Sequence, residues 1–126
     1  MAAITESSLD LIEPISFVSS PKYGAVVCFS GHVRLIEEGR EIESINYEAY
    51  QKMAEKMIIK IIEDAEKRWG VKVFVQHRVG KINVGEASVL VACGGKHRKE
   101  TFEACQFVIN EVKEKVPIWK VGYEWA

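Results

Sequence analysis

Cysteine is scarce, and its placement excludes two architectures. The 126 residues hold only Cys28, Cys93 and Cys105; an odd count without metal-ligand spacing supports neither a disulfide framework nor a zinc site. Histidine is as sparse, with His32, His77 and His97 standing singly, so no metal or resident cofactor is implied. Neither sign of charge dominates: 17 Lys and Arg face 18 Asp and Glu, for a formal charge of −1. A nucleic-acid binder carries a clear basic excess, so any anionic ligand must be met by a local cluster. No apolar run approaches the ~18 residues of a membrane span, and Met1 to Ser8 lacks the basic and apolar regions of a secretory signal. The expectation is a cytoplasmic, reduced protein that engages neither membrane nor nucleic acid. Repeats, low-complexity tracts and linkers are missing too, so residues 1–126 are expected to form a single domain.

What is present is a clear alternation of periods. Residues 1–20 begin polar and end in Ile15 to Val18 before the break at Ser19-Ser20-Pro21, which predicts a short first strand or arm. Gly24 to Arg34 alternates with period two, Ala25, Val27, Phe29 and Val33 on one side, and Ser30, His32 and Arg34 on the other. Glu37-Glu38-Gly39-Arg40 reads as a turn, and Ile42 to Tyr50 as the returning strand of a hairpin. From Gln51 to Trp69 the period becomes helical, with Ala54, Met57, Ile58, Ile61, Ile62 and Ala65 inward and Gly70 placed to end it. Val71–Val75 and Ala87–Val91 are rich in β-branched residues and predict two more strands. Two glycine breaks between them suggest a turning connection. The order β-β-α-β-β-α-β predicts an α+β fold with a largely antiparallel sheet and two main helices.

The second helical stretch carries the chemistry. Gly94-Gly95 is expected to open a loop, the basic tetrad Lys96-His97-Arg98-Lys99 follows, and Phe102, Cys105, Ile109, Val112 and Val116 form one apolar stripe. The tetrad would meet the helix N-terminus, which favours anions. Lys113 falls at the stripe's edge, where its stem can lie on apolar surface and its amine enter a crevice. Pro117 ends the helix and turns the chain into a last strand, Ile118 to about Tyr123, carrying Lys120 back along the sheet. Two lysines seven apart could therefore share a pocket. Arg34 suits bidentate binding of phosphate or carboxylate, but taken alone it reads first as a rim arginine pairing with Glu37 or Glu38. Gly94-Gly95-Lys96-His97 fails the spacing of a phosphate-binding Walker loop. Asp10, Glu13 and Glu48 form no evident catalytic pair.

Six segments in register then carry a resemblance. Gly24-Ala25…Phe29-Ser30-Gly31-His32-Val33-Arg34, Tyr47-Glu48-Ala49-Tyr50, His77-Arg78-Val79-Gly80 and Val84-Gly85-Glu86 come first. His97-Arg98…Phe102-Glu103-Ala104-Cys105 and Lys113…Pro117-Ile118-Trp119-Lys120 complete the set. Together they closely resemble the large, catalytic subunits of molybdopterin synthase. The resemblance implies an α/β-hammerhead-type fold and a sulfurtransferase of molybdenum-cofactor biosynthesis, converting cyclic pyranopterin monophosphate to molybdopterin. It implies a small ubiquitin-like sulfur carrier whose C-terminal Gly-Gly bears a thiocarboxylate, and a homodimer within a heterotetramer, the pocket drawing on both large subunits. Carried over by position, it assigns catalysis to Lys113 and Lys120, and substrate binding to His32, Val33, Arg34, His97, Arg98 and both lysines. The competing reading is a non-catalytic module that holds an anionic metabolite or a ubiquitin-like tail.

Overall fold

A computed structural model describes residues 1–126. Along the chain run β1 (Ala2–Thr5), α1 (Ile12–Val18), β2 (Ala25–His32), β3 (Ile36–Glu37) and β4 (Arg40–Ala49). After them come α2 (Gln51–Trp69), β5 (Lys72–Arg78), β6 (Gly80–Asn83), β7 (Ala87–Gly95), α3 (Arg98–Lys115) and β8 (Ile118–Trp125). The α+β class holds, with α2 and α3 as the two main helices. One sheet has the order β1-β5-β7-β2; in the other, β4 pairs with β3, β6 and β8. Every pairing is antiparallel except β1 with β5.

The main core lies between the first sheet and the pair α2 and α3. Ala54, Ile58, Ile61 and Ile62 from α2 meet Val73, Val75, Val89 and Val91 from the strands and Ala104, Val108 and Val112 from α3. The α2 boundaries match the periodic reading, and Gly70 ends the helix in the left-handed conformation (φ 66), its N–H donating to Glu66 O. A second, smaller core of Val33, Ile42, Ile45, Tyr47 and Ile82 belongs to the other sheet. The chain crosses between the sheets at Val79, with Gly80 at φ 84.

Several expectations are corrected. The short first strand expected within residues 1–20 is β1 at Ala2–Thr5, whereas Ile15–Val18 is the end of helix α1. Asp10 Oδ1 accepts the N–H of Ile12 at 3.0 Å, and Pro14 sits in the first turn, where its missing N–H costs nothing. The Gly24–Arg34 strand does not pair with Ile42–Tyr50: β2 pairs with β7, and only Ile36–Glu37 folds back on β4. The supposed turning connection contains β6, which pairs with Ser44–Tyr47. Gly94 and Gly95 are buried strand residues rather than a loop. A Cβ on Gly94 would overlap the Val18 carbonyl oxygen, and one on Gly95 would overlap Thr101 Oγ1, so close packing by α1 and α3 explains both glycines. On α3 the buried stripe runs through Thr101, Ala104, Cys105, Val108 and Val112. Phe102 lies outside it, 60% exposed.

Candidate active site

At the seam between the two sheets is a cleft of about 180 Å³ lined by residues from six elements or their ends. Phe29 and Gly31 of β2 lead into His32, Val33 and Arg34. Tyr47 comes from β4, Lys113 from the last turn of α3 and Lys120 from β8. The sequence makes this convergence possible in two steps. Pro117 breaks the helix immediately after its last turn, and β8 then pairs antiparallel with β4. That register sets Lys120 opposite Tyr47, beside an irregularity at Asn46/Tyr47. Cross-strand partners share a face, so Lys120 lies on the side of the buried Tyr47. Other hollows lack this excess of positive charge; the one between α2 and α3 balances Lys60 and Lys115 with Asp64 and Glu111.

The wall is held by its own hydrogen bonds. The backbone of Val33 donates to Glu86 O at 3.0 Å and accepts from Gly85 N–H at 2.9 Å. His32 Nδ1 lies 2.9 Å from Gly85 O, and a carbonyl only accepts, so Nδ1 carries the proton. Ser30 Oγ lies 2.7 Å from the other ring nitrogen. Both nitrogens of His32 are thus engaged within the chain, and the ring braces the loop that presents Arg34.

Charge in the cleft is uneven. Arg34, Lys113 and Lys120 contribute three cations against one carboxylate, Glu37. Burial, reinforced by the positive charge of Lys120, holds the Lys113 amine below the ordinary lysine range. Lys113 is nevertheless an exposed residue taken as a whole, so its amine is only partly shielded from water. Tyr47 is pushed above the usual phenol range, first by burial and then by the Glu37 carboxylate; it stays a neutral hydroxyl. Behind it His77 packs edge-on, ring centroids 5.6 Å apart. Such a site can fix an anion and offers an amine that loses its proton more readily than a free lysine.

His97 and Arg98 are not in this cleft. They stand exposed at the opposite end of α3, and fifteen residues of helix separate Arg98 from Lys113 by ~22 Å.

The MoaE protein family model matches residues 4–115. The chain belongs to the MoaE family. It is 42% identical over 113 residues to a molybdopterin synthase catalytic subunit of Arabidopsis thaliana, covering 89% of this chain and 57% of that relative. Among solved structures, molybdopterin synthase from Staphylococcus aureus superposes with a TM-score of 0.91 at 34% identity, covering 98% of this chain and 94% of that one. A complex of subunits 1 and 2 of molybdopterin-converting factor from Helicobacter pylori gives a TM-score of 0.77 at 25% identity, covering 99% and 89%. The hammerhead-type expectation for the fold therefore stands on close structural relatives within the MoaE family.

Sequence reasoning did not assign Glu37, Tyr47 or Ser88 to the site, nor His77 to the place behind Tyr47. Glu37 had a signal as a rim partner of Arg34, and Tyr47 and His77 stood in segments of the resemblance without a role. Tyr47 and Ser88 are ordinary strand residues until β4 and β7 are placed beside the seam.

Proposed function

We propose that this cleft is the sulfur-transfer site of a molybdopterin synthase catalytic subunit, acting on cyclic pyranopterin monophosphate. The sulfur would come from the C-terminal thiocarboxylate of a small ubiquitin-like carrier. The observation that carries the reading is the meeting of Lys113 and Lys120 with Arg34 in one crevice. A phosphate and a thiocarboxylate, both anionic, must come together there, and the converging cations offset their repulsion, although the Arg34 side chain is 80% exposed and that of Lys120 42%. Lys113, with its amine depressed by burial and by Lys120, is the group to polarise the carrier's terminal carbonyl and move a proton during transfer. Lys120 and Arg34 hold charge, and His32 and Val33 fix the wall behind Arg34.

His97 and Arg98 reach such a site from a second copy of the chain. β2 ends its sheet, with an unpaired outer edge. Beside it Val26, Phe29 and Phe102 are 42%, 39% and 60% exposed. Two copies related by a two-fold axis near the middle of α3 lay the N-terminus of one helix alongside the C-terminus of the other, bringing His97 and Arg98 towards the partner's lysines. The heterotetramer then has two composite sites, one at each end. No helix is long and apolar enough to cross a membrane, and the unpaired thiols of Cys28, Cys93 and Cys105 suit the reducing cytoplasm.

The test is reconstitution with a thiocarboxylated carrier and the cyclic pterin, following dithiolene formation. Lys113→Ala should lower turnover by at least about 100-fold, in the range of a lost acid–base group, while the carrier still binds in a pull-down. Retained turnover in that variant removes Lys113 from the chemistry; carrier binding without any product from the wild type favours the non-catalytic module.

A further inference from the structure

One carboxylate stands inside the cation cleft, and the sulfur-transfer reading gives it no task. Glu37 ends β3, and its side chain is only 13% exposed. Its Oε1 lies 3.8 Å from Arg34 Nη2 and 3.7 Å from Lys120 Nζ. At those separations the charges compensate each other, but neither contact is a direct hydrogen bond, so both can be exchanged. The hairpin is shaped to place this group. Glu37 pairs with Arg40, and the two residues between them, Glu38 (φ 52) and Gly39 (φ 74), are both left-handed. That is the tight two-residue turn that matches strand twist, held even though Glu38 is not glycine. Glu38, with the same charge, is exposed and makes no ion pair.

We propose that Glu37 is a resident ligand of the cleft, its carboxylate standing where an incoming phosphate or carboxylate must bind. Anion binding is then an exchange: the β3–β4 hairpin withdraws Glu37 as the ligand takes over Arg34 and Lys120. Two consequences follow from charge alone. In the empty site, Glu37 offsets the mutual repulsion of Arg34, Lys113 and Lys120. Every anion using Arg34 and Lys120 must displace the same competitor, so its removal strengthens binding of different anions by a similar factor. The inference rests on the reading of the cleft as an anion site.

Wild type, Glu37→Gln and Glu38→Gln are titrated at constant ionic strength with inorganic phosphate and, separately, with glycylglycine. Binding is followed by NMR shifts of the cleft residues, with thermal melts run in parallel. Glu37→Gln should bind both probes about fivefold more tightly, in line with removal of two weak, partly screened ion pairs. Glu38→Gln, an identical change in net charge, should shift either affinity by less than about twofold. Equal gains in the two variants reduce the effect to net charge and overturn the proposal. So does unchanged or weaker binding by Glu37→Gln, which would make the carboxylate a brace for the cations. A wild type that binds neither probe removes the anion-site reading as well; failure confined to Glu37→Gln leaves that reading standing.

Discussion

His77 is a buried histidine, 3% exposed, whose Nδ1–H donates to Arg78 O at 2.8 Å. Burial, with a smaller contribution from the charge of Lys113, lowers its pKa from 6.5 to about 4. Between those values the unfolded chain binds a proton that the folded chain refuses, so acid favours unfolding. The contribution is fully present above about pH 6.5 and is lost as the pH falls towards 4, on the order of 3 kcal/mol in all. Urea unfolding at pH 7 and 4.5 should show this loss, and His77→Gln should show a smaller drop between the two pH values than wild type. An identical drop would mean that His77 is not the titrating group. Little of this was legible in the sequence, because His77 sits among Arg78, Val79 and Gly80 like any strand-end residue. Lys113 was legible, since its angle on the helix put it at the border of the apolar stripe, and the bend at Pro117 aimed Lys120 back towards it.

β7 shows why element boundaries were read well and element partners were not. Period-two and helical patterns depend on neighbours in sequence, which is why α2 was found at Gln51–Trp69. Strand pairing depends on what lies across the sheet: β2 passed over the nearby β4 to join β7, and β6 was hidden between two glycine breaks. Gly94-Gly95 was misread for the same reason, since glycine marks a loop or a place where another backbone comes close. Here it is close approach, by the backbone at the end of α1 against Gly94 and by the Thr101 side chain of α3 against Gly95. Gly94→Ala should therefore cost about 1–3 kcal/mol, the range for overpacking a close contact, seen as a drop of several degrees in Tm. Gly122→Ala in β8, where an added Cβ meets nothing within 4 Å, is the control and should leave Tm nearly unchanged. Equal behaviour of the two variants would contradict the packing account of the β7 glycines.

Considered as one body, the chain has its cations at two distant places. Arg34, Lys113 and Lys120 share the seam cleft, while Lys96 to Lys99 crowd the start of α3. A rigid 18-residue helix cannot bring its own ends together, so residues of both ends can act on one ligand only across copies. Spacing and periodicity place residues along one chain and say nothing about which copy supplies them; only the resemblance implied a pocket drawing on both large subunits. The two-fold arrangement has a signature that a single-chain site lacks. In a dimer mixed from Lys113→Ala and Arg98→Ala chains, one composite site carries both defects and the other carries none. Half of randomly assorted dimers are mixed and each keeps one of its two sites, so subunit exchange should restore about a quarter of wild-type turnover. Were both residues to serve the cleft of their own chain, each site in the mixture would keep one defect and mixing would restore nothing. The measurement is the rate of dithiolene formation before and after exchange of the two inactive variants. Phe102→Glu on one partner, which puts a charge into the exposed apolar face beside β2, should prevent the recovery by blocking assembly.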